Sequence, residues 1–189
     1  MQKLYILNND AVYDVYLNMA LDEVLFLDDS QRYFLRVYQF NENAITVGRC
    51  QQVKKNENLE RQMICSHNAT RRITGGGAVF HNAGLTFTFI CDNNLLFELK
   101  NINESYRIIH SIIQRALLKE NFKLDFHREN KVFFNGDKSC FNSPVNYDLM
   151  YADMKIVGGA QKRRANRLIH QGEISISGLN KISKDNKKK

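Results

Sequence analysis

Cys140 and Lys155 are the two side chains whose types and surroundings could form one reactive centre. The thiol lies just before the chain's only proline, Pro144, and the amine just before Gly158-Gly159. A thiol reacts as its thiolate, and a nearby ammonium favours that form. Each residue also has a plainer reading. A lone cysteine is most often a small buried apolar side chain, and a lone lysine is most often solvated.

A second segment with chemical character runs from Arg71 to His81 (RRITGGGAVFH). Three consecutive glycines, Gly75, Gly76 and Gly77, suit neither a helix nor a strand interior. They predict a loop whose amide groups can cradle an anion or hydrogen-bond an acyl carbonyl. Arg71 and Arg72 stand where they could hold a phosphate. A triple glycine alone also fits a flexible turn. The spacing matches neither the Walker loop nor the dinucleotide fingerprint.

The surrounding pattern predicts the elements that must place these residues. Leu4–Ile6 reads as a short edge strand. Asp14 can cap a helix to about Asp28, with Leu17, Ala20, Leu21, Val24 and Leu25 on one core-facing side. Tyr33–Gln39 and Ala44–Val47 read as strands, the second ended by Gly48, with Arg49 and Gln51 in the loop beyond. Leu85–Cys91 alternates as a half-buried strand, with Leu85, Phe87, Phe89 and Cys91 on one side and Thr86 and Thr88 on the other. Asn101 and Glu104 resemble a capping box for a helix to about Glu120, with Ile109, Ile112, Ile113, Ala116 and Leu117 on its inner face. Leu124–Phe126 and Val132–Phe134 read as short strands. A strand pair follows, Tyr147–Tyr151 and Met154–Val157, across a turn at Ala152-Asp153, and then a strand-like run, Leu168–Ser177. Irregular alternation with hairpins predicts an α+β fold on a mixed, largely antiparallel sheet flanked by helices, not a doubly wound one.

Composition narrows the function classes. The 189 residues suffice for one domain with a real core, read here as residues 1–178 with a basic, disordered tail at 179–189. No apolar run is long enough to span a membrane and no signal peptide is evident, which points to a cytoplasmic protein. Cys50, Cys65, Cys91 and Cys140 form no zinc pattern, and His67, His81, His110, His127 and His170 are scattered, so no metal site is expected. The net charge of +7 favours anionic partners. The charge is not organised with aromatics into a nucleic-acid-binding module, so none is expected to bind.

The motifs together resemble the lipoate–protein ligase and octanoyltransferase family, over roughly Asn18 to Ile176. Asn18 to Glu23 (NMALDE) resembles the family's first-helix signature. Leu35 to Tyr38 and Gly48 to Gln51 are similar to its strand–loop–strand segment, with Phe40 where a tryptophan is usual. The Arg71–His81 segment resembles its most specific motif, with Asn82 where an acidic residue is common. Lys155 to Gln161 (KIVGGAQ) resembles its lysine motif, and Gly172-Glu173 fits the strand that follows. Cys140 to Leu149 (CFNSPVNYDL) resembles the cysteine segment of the Gram-positive-type octanoyltransferases.

The resemblance implies a biotin/lipoyl-ligase-like, class II synthetase-like fold with an acyl tunnel over the sheet. It implies that Cys140 takes an octanoyl group from octanoyl-acyl-carrier protein as a thioester, with Lys155 activating the thiol. The group then passes to a lysine of a lipoyl domain of a 2-oxoacid dehydrogenase or of the glycine-cleavage H protein. Arg71, Arg72, Gly75, Gly76, Gly77, His81, Gly158, Gly159 and Ala160 are the implied substrate-binding residues. No cofactor is required on this reading. ATP and magnesium would be needed by the alternative, an ATP-dependent lipoate ligase. A non-catalytic relative that binds lipoyl domains is the other alternative.

Overall fold

The computed structural model describes residues 3–8, 12–28, 33–41, 43–81, 84–92, 97–128 and 144–186. In chain order the strands are β1 (Leu4–Asn8), β2 (Tyr33–Tyr38), β3 (Ile45–Val47), β4 (Ala69–Arg71), β5 (Val79–Phe80), β6 (Leu85–Asp92), β7 (Asp125–Phe126), β8 (Leu149–Tyr151), β9 (Met154–Arg164) and β10 (Arg167–Ile174). The helices are α1 (Val15–Leu27), α2 (Glu57–Ser66), α3 (Ile102–Lys119) and α4 (Ile176–Asn186).

A large sheet has the strand order β1-β2-β6-β10-β9-β8-β7, and a small one the order β4-β3-β5. In the large sheet only the edge pair β1–β2 is parallel. The mixed, largely antiparallel α+β architecture expected from the sequence is therefore present. Caps fall where side chains can accept orphan amides: Asp14 Oδ1 from Leu17 N, Asn56 Oδ1 from Leu59 N, and Asn101 Oδ1 from Glu104 N.

Alternate residues of the central strands feed two cores. Ile90 and Ile169 join Phe34 and Phe26 of α1 on one face. Phe87, Cys91 and Leu168 join Ile109 of α3 and Ile182 of α4 on the other. Cys91 is fully buried, and burial pushes its thiol up to about 12, as befits a packing residue.

Four expectations need correction. The face of α1 is inverted: Leu17 is 44% and Val24 66% exposed, whereas Asn18 and Asp22 are wholly buried. The cause is Arg36 on β2, which lies beneath the helix and takes an ion pair from Asp22. Second, β6 is covered on both sides, because Thr88 hydrogen-bonds Asp22 instead of facing solvent. In α3, Ile112 is exposed, while His110 and Ser105 turn inward. Finally, the segment read as a tail from residue 179 is helical to Asn186, because Ile182 packs against Ile156 and Leu168. The expected strand Val132–Phe134 lies outside the described residues.

A buried polar seam joins these layers. Asp22 Oδ2 accepts from Tyr38 Oη (2.9 Å), Thr88 Oγ1 (2.7 Å) and Gln171 Nε2 (2.6 Å). Arg36 also donates to the carbonyl and side chain of Asn18, at 3.1 and 2.9 Å. Burial, and then the Asp22 charge, hold the Tyr38 phenol well above its usual range. Breaking a buried ion pair strands a charge, at about 3–5 kcal/mol. Arg36→Met is therefore expected to lose about that much stability, read as the shift in the urea unfolding midpoint. A shift of the size of a surface mutation would show that the seam is not a principal support.

Candidate active site

Lys155 enters β9 directly after a tight turn in which Ala152 adopts φ 50°. It pairs with Met150 of β8, beside an irregularity in the register at Leu149/Met150. The side chain is 4% exposed, and its Nζ lies 2.8 Å from Asp148 Oδ2. Gly158 makes room for this: a Cβ there would overlap Lys155 Cε and Nζ. A branchless residue is thus required opposite the lysine.

The lysine opens onto a narrow cavity of about 40 Å³ between the two sheets. Its floor is the row Gly158, Gly159, Ala160 and Gly172. Met19, Tyr38 and Phe40 close one side. Thr46, Arg72, Val79 and His81 from the small sheet and its connections close the other. The wall is mainly apolar carbon, suited to an alkyl chain more than to a charged ligand.

Polar rungs on β10 fasten the small sheet over this floor. Thr74 Oγ1 donates to Gln171 Oε1 at 2.7 Å. His81 Nδ1 bonds Glu173 Oε2, and His81 Nε2 meets Thr46 Oγ1 at 2.9 Å. Arg72 continues the chain, donating to Thr46 O (3.1 Å), Gly75 O (2.6 Å) and Gly77 O (2.7 Å). Arg71 donates to the carbonyls of Gly48, Arg49 and Gln51. Gly76 has φ 86°, and its carbonyl lies where a Cβ on Gly48 would be. Both arginines therefore bind main-chain carbonyls and hold the loops around the cavity.

Arg72, His81, Lys155, Gly158, Gly159 and Ala160 come together on the cavity wall. Gly75 and Gly77 stand behind Arg72 as acceptors, and Arg71 is exposed. Cys140 lies outside the described residues. Sequence reasoning gave no role to Asp148, Thr46, Thr74 or Gln171. The strand pair read across Ala152-Asp153 places Met150, not Asp148, opposite Lys155, so the pairing alone did not reveal Asp148. For the others, only the tertiary meeting of the two sheets reveals the partners. No group of three or more His, Cys, Asp or Glu that could hold a metal occurs among the described residues. No helix among them is long and apolar enough to cross a membrane.

Behind the floor, on the α3 side, two buried histidines meet. His110 Nδ1 lies 2.6 Å from Tyr147 O, a pure acceptor, so this nitrogen carries a proton. His110 Nε2 then accepts from His170 Nε2 at 3.2 Å, and His170 Nδ1 accepts from Gln161 Nε2 at 3.0 Å. Both rings are thus satisfied as neutral imidazoles. Burial lowers the pKa of each, that of His170 well below the usual value, with His110 adding to the effect.

The residues from Asp14 onward match the family model described as the lipoyl protein ligase A/B catalytic domain, over residues 14–185. The chain belongs to this family. An octanoyltransferase LipM of Clostridioides difficile (strain 630) is 30% identical over 170 residues, covering 87% of this chain and 62% of that protein. One of Bacillus subtilis (strain 168) is 30% identical over 171 residues, covering 84% and 60%. The chain thus spans about three fifths of the length of these relatives. A putative lipoate protein ligase from T. acidophilum with bound lipoic acid superposes with a TM-score of 0.69 at 20% identity, over 92% of this chain and 67% of that one. A lipoate-protein ligase A bound with ATP gives 0.67 at 20%, over 92% and 66%. These likenesses establish the lipoate-ligase fold.

The histidine pair makes this family member's stability depend on pH. The unfolded chain takes up protons near pH 6.5 that the folded chain refuses until lower pH. The contribution is present above about 6.5 and is lost as pH falls below it. The ring Cε1–H signals of His110 and His170 in NMR are expected to stay at neutral-imidazole positions as pH drops through 6.5, while the melting temperature declines. Titration of both rings at the ordinary value would refute the neutral pair.

Proposed function

We propose that this protein is an octanoyl-[acyl-carrier-protein]:protein N-octanoyltransferase acting in protein lipoylation. The observation that carries the reading is the buried, carboxylate-paired Lys155 at the mouth of an apolar cavity, in a chain whose cysteine segment and curated relatives are of the octanoyltransferase kind.

In the first step the Cys140 thiolate attacks the thioester carbonyl of octanoyl-acyl-carrier protein. A new C–S bond forms to Cys140, and the carrier's sulfur leaves as thiolate. In the second step the ε-amine of an acceptor lysine attacks that carbonyl, and the amide forms as Cys140 leaves. The nitrogen's proton goes to the departing Cys140 sulfur, which is released as the thiol, while Lys155 stays an ammonium paired with Asp148. The acceptor is a lipoyl domain or glycine-cleavage H protein. Thioester exchange is nearly isoenergetic and amide formation runs downhill, so neither ATP nor magnesium is needed. Splitting the transfer lets two protein partners use one site in turn.

The floor suits this chemistry. β8 ends opposite Val157, whereas β9 continues along β10. Successive strand residues direct their amides to opposite edges, so one of Gly158 and Gly159 presents its N–H at the edge that β8 leaves open. Such a donor can hold the developing oxyanion, an effect worth about 3 kcal/mol elsewhere. The net charge of +7 aids encounter with acidic carrier proteins.

Incubation with octanoyl-acyl-carrier protein, without ATP, is expected to add one hydroxylamine-labile octanoyl group by intact mass, and none to Cys140→Ser. Normal turnover by Cys140→Ser, or a strict need for ATP, would overturn the reading. Gly158→Ala should fold yet slow the transfer about 100-fold, since its methyl displaces the lysine. Unchanged kinetics in that variant would remove Lys155 from the mechanism.

A further inference from the structure

We propose that Asp148 is the positioning residue of this site, holding Lys155 and the turn after Pro144 in one fixed relation. The inference rests on the transferase reading for its catalytic meaning, but its geometry is independent of it.

Asp148 has no exposed surface, and one of its oxygens does two tasks. Oδ2 takes the Lys155 ammonium at 2.8 Å and the Val145 N–H at 2.7 Å. The first contact fixes the amine. The second fixes the turn just after Pro144, which Asp148 N closes by donating to Val145 O at 3.1 Å. The backbone is pinned from two further directions. His127 N donates to Asp148 O at 2.7 Å, and His110 Nδ1 donates to Tyr147 O. Tyr147 itself takes φ 69°, a conformation a tyrosine adopts only where the surroundings enforce it. The turn at residues 145–148 and the lysine thus share one carboxylate that cannot move separately from either.

The other oxygen supplies a second observation. Asp148 Oδ1 is buried and has no hydrogen-bond partner. It lies 3.3 Å from where a Cβ on Gly158 would stand, the same space that Lys155 Nζ borders. A buried carboxylate oxygen without a donor is unfavourable. Here it offers the ammonium a second seat, so that Nζ can swing over Gly158 towards the cavity and remain paired. His110 senses both charges and is held neutral by burial. A neutral imidazole does not compete for the carboxylate.

The test compares Asp148→Asn, which keeps an acceptor for Val145 N–H but removes the charge, with Asp148→Glu, which keeps the charge. Lys155 labelling by acetic anhydride is followed against pH by peptide mass spectrometry. Octanoyl-adduct formation from octanoyl-acyl-carrier protein is measured alongside. In Asp148→Asn the labelling midpoint should fall by about one pH unit or more, because a buried ammonium has lost its counter-charge. Adduct formation should fall about tenfold or more in kcat with KM little changed, the split expected when orientation is lost and binding is kept. Asp148→Glu should restore the labelling profile. Superimposable labelling profiles for wild type and Asp148→Asn would overturn the proposal. So would equal shifts in Asn and Glu, which would mark Asp148 as a packing residue. If Asp148→Asn does not fold, the Glu variant decides: a wild-type profile supports the proposal and a shifted one overturns it. Labelling does not use the octanoyl reaction. A wild type that forms no adduct, with the Asn shift present, would remove the transferase reading and leave the Asp148 pairing in place.

Discussion

The carboxylate of Asp22 is the contact on which the rest of the molecule hangs. It is buried completely, and its partners come from β2, β6 and β10, three neighbouring strands of the large sheet. A charge so placed is tolerable only if every lone pair is used. Four donors use them: Arg36, Tyr38, Thr88 and Gln171. Gln171 then turns its other end to Thr74, at the entrance to the glycine loop. A helix, a sheet and a loop are therefore positioned by one satisfied anion.

From that anchor the order runs outward. Gln171 and Glu173 point to the small sheet while Gly172 between them faces the α3 side, so bare backbone separates the two polar rungs on the cavity face. That backbone is the cavity floor. Lys155 stands at the far edge of the same floor, one strand over. The apolar space is thus framed by hydrogen bonds on both sides, which fix the position of its walls.

Much of this was legible in the sequence because local signals sufficed. Aromatic and β-branched residues revealed β2, period-two alternation revealed β6, turn residues revealed the β8–β9 hairpin, and Asn101 marked the start of α3. The motif around Lys155 identified the floor because glycines recur there for a spatial reason. What failed did so where a distant partner overrode periodicity. The apolar stripe Leu17, Leu21 and Val24 is a real stripe, yet Arg36 draws the opposite face of α1 inward. Arg71 and Arg72 look like anion ligands by composition, but Arg71 donates to carbonyls of the loop after β3 and Arg72 to carbonyls of the glycine loop. Ile182 was hidden among lysines, and with Leu179 it seats a helix on the core where a solvated tail was expected.

The glycines of the floor also interlock with the far side of the sheet. A Cβ on Gly159 would strike His170, and one on Gly172 would strike Phe87, and both of those rings belong to the α3 face. At these two points the wall between cavity and core is a single layer of backbone. Aromatic rings press up from below against the surface on which an alkyl chain would rest. The bore of the channel is therefore set partly by residues that never touch its contents. A change in ring size at Phe87, or in ring tilt at His170, would alter the width of the cavity while every lining residue stayed the same. Selectivity in this fold can be tuned from underneath.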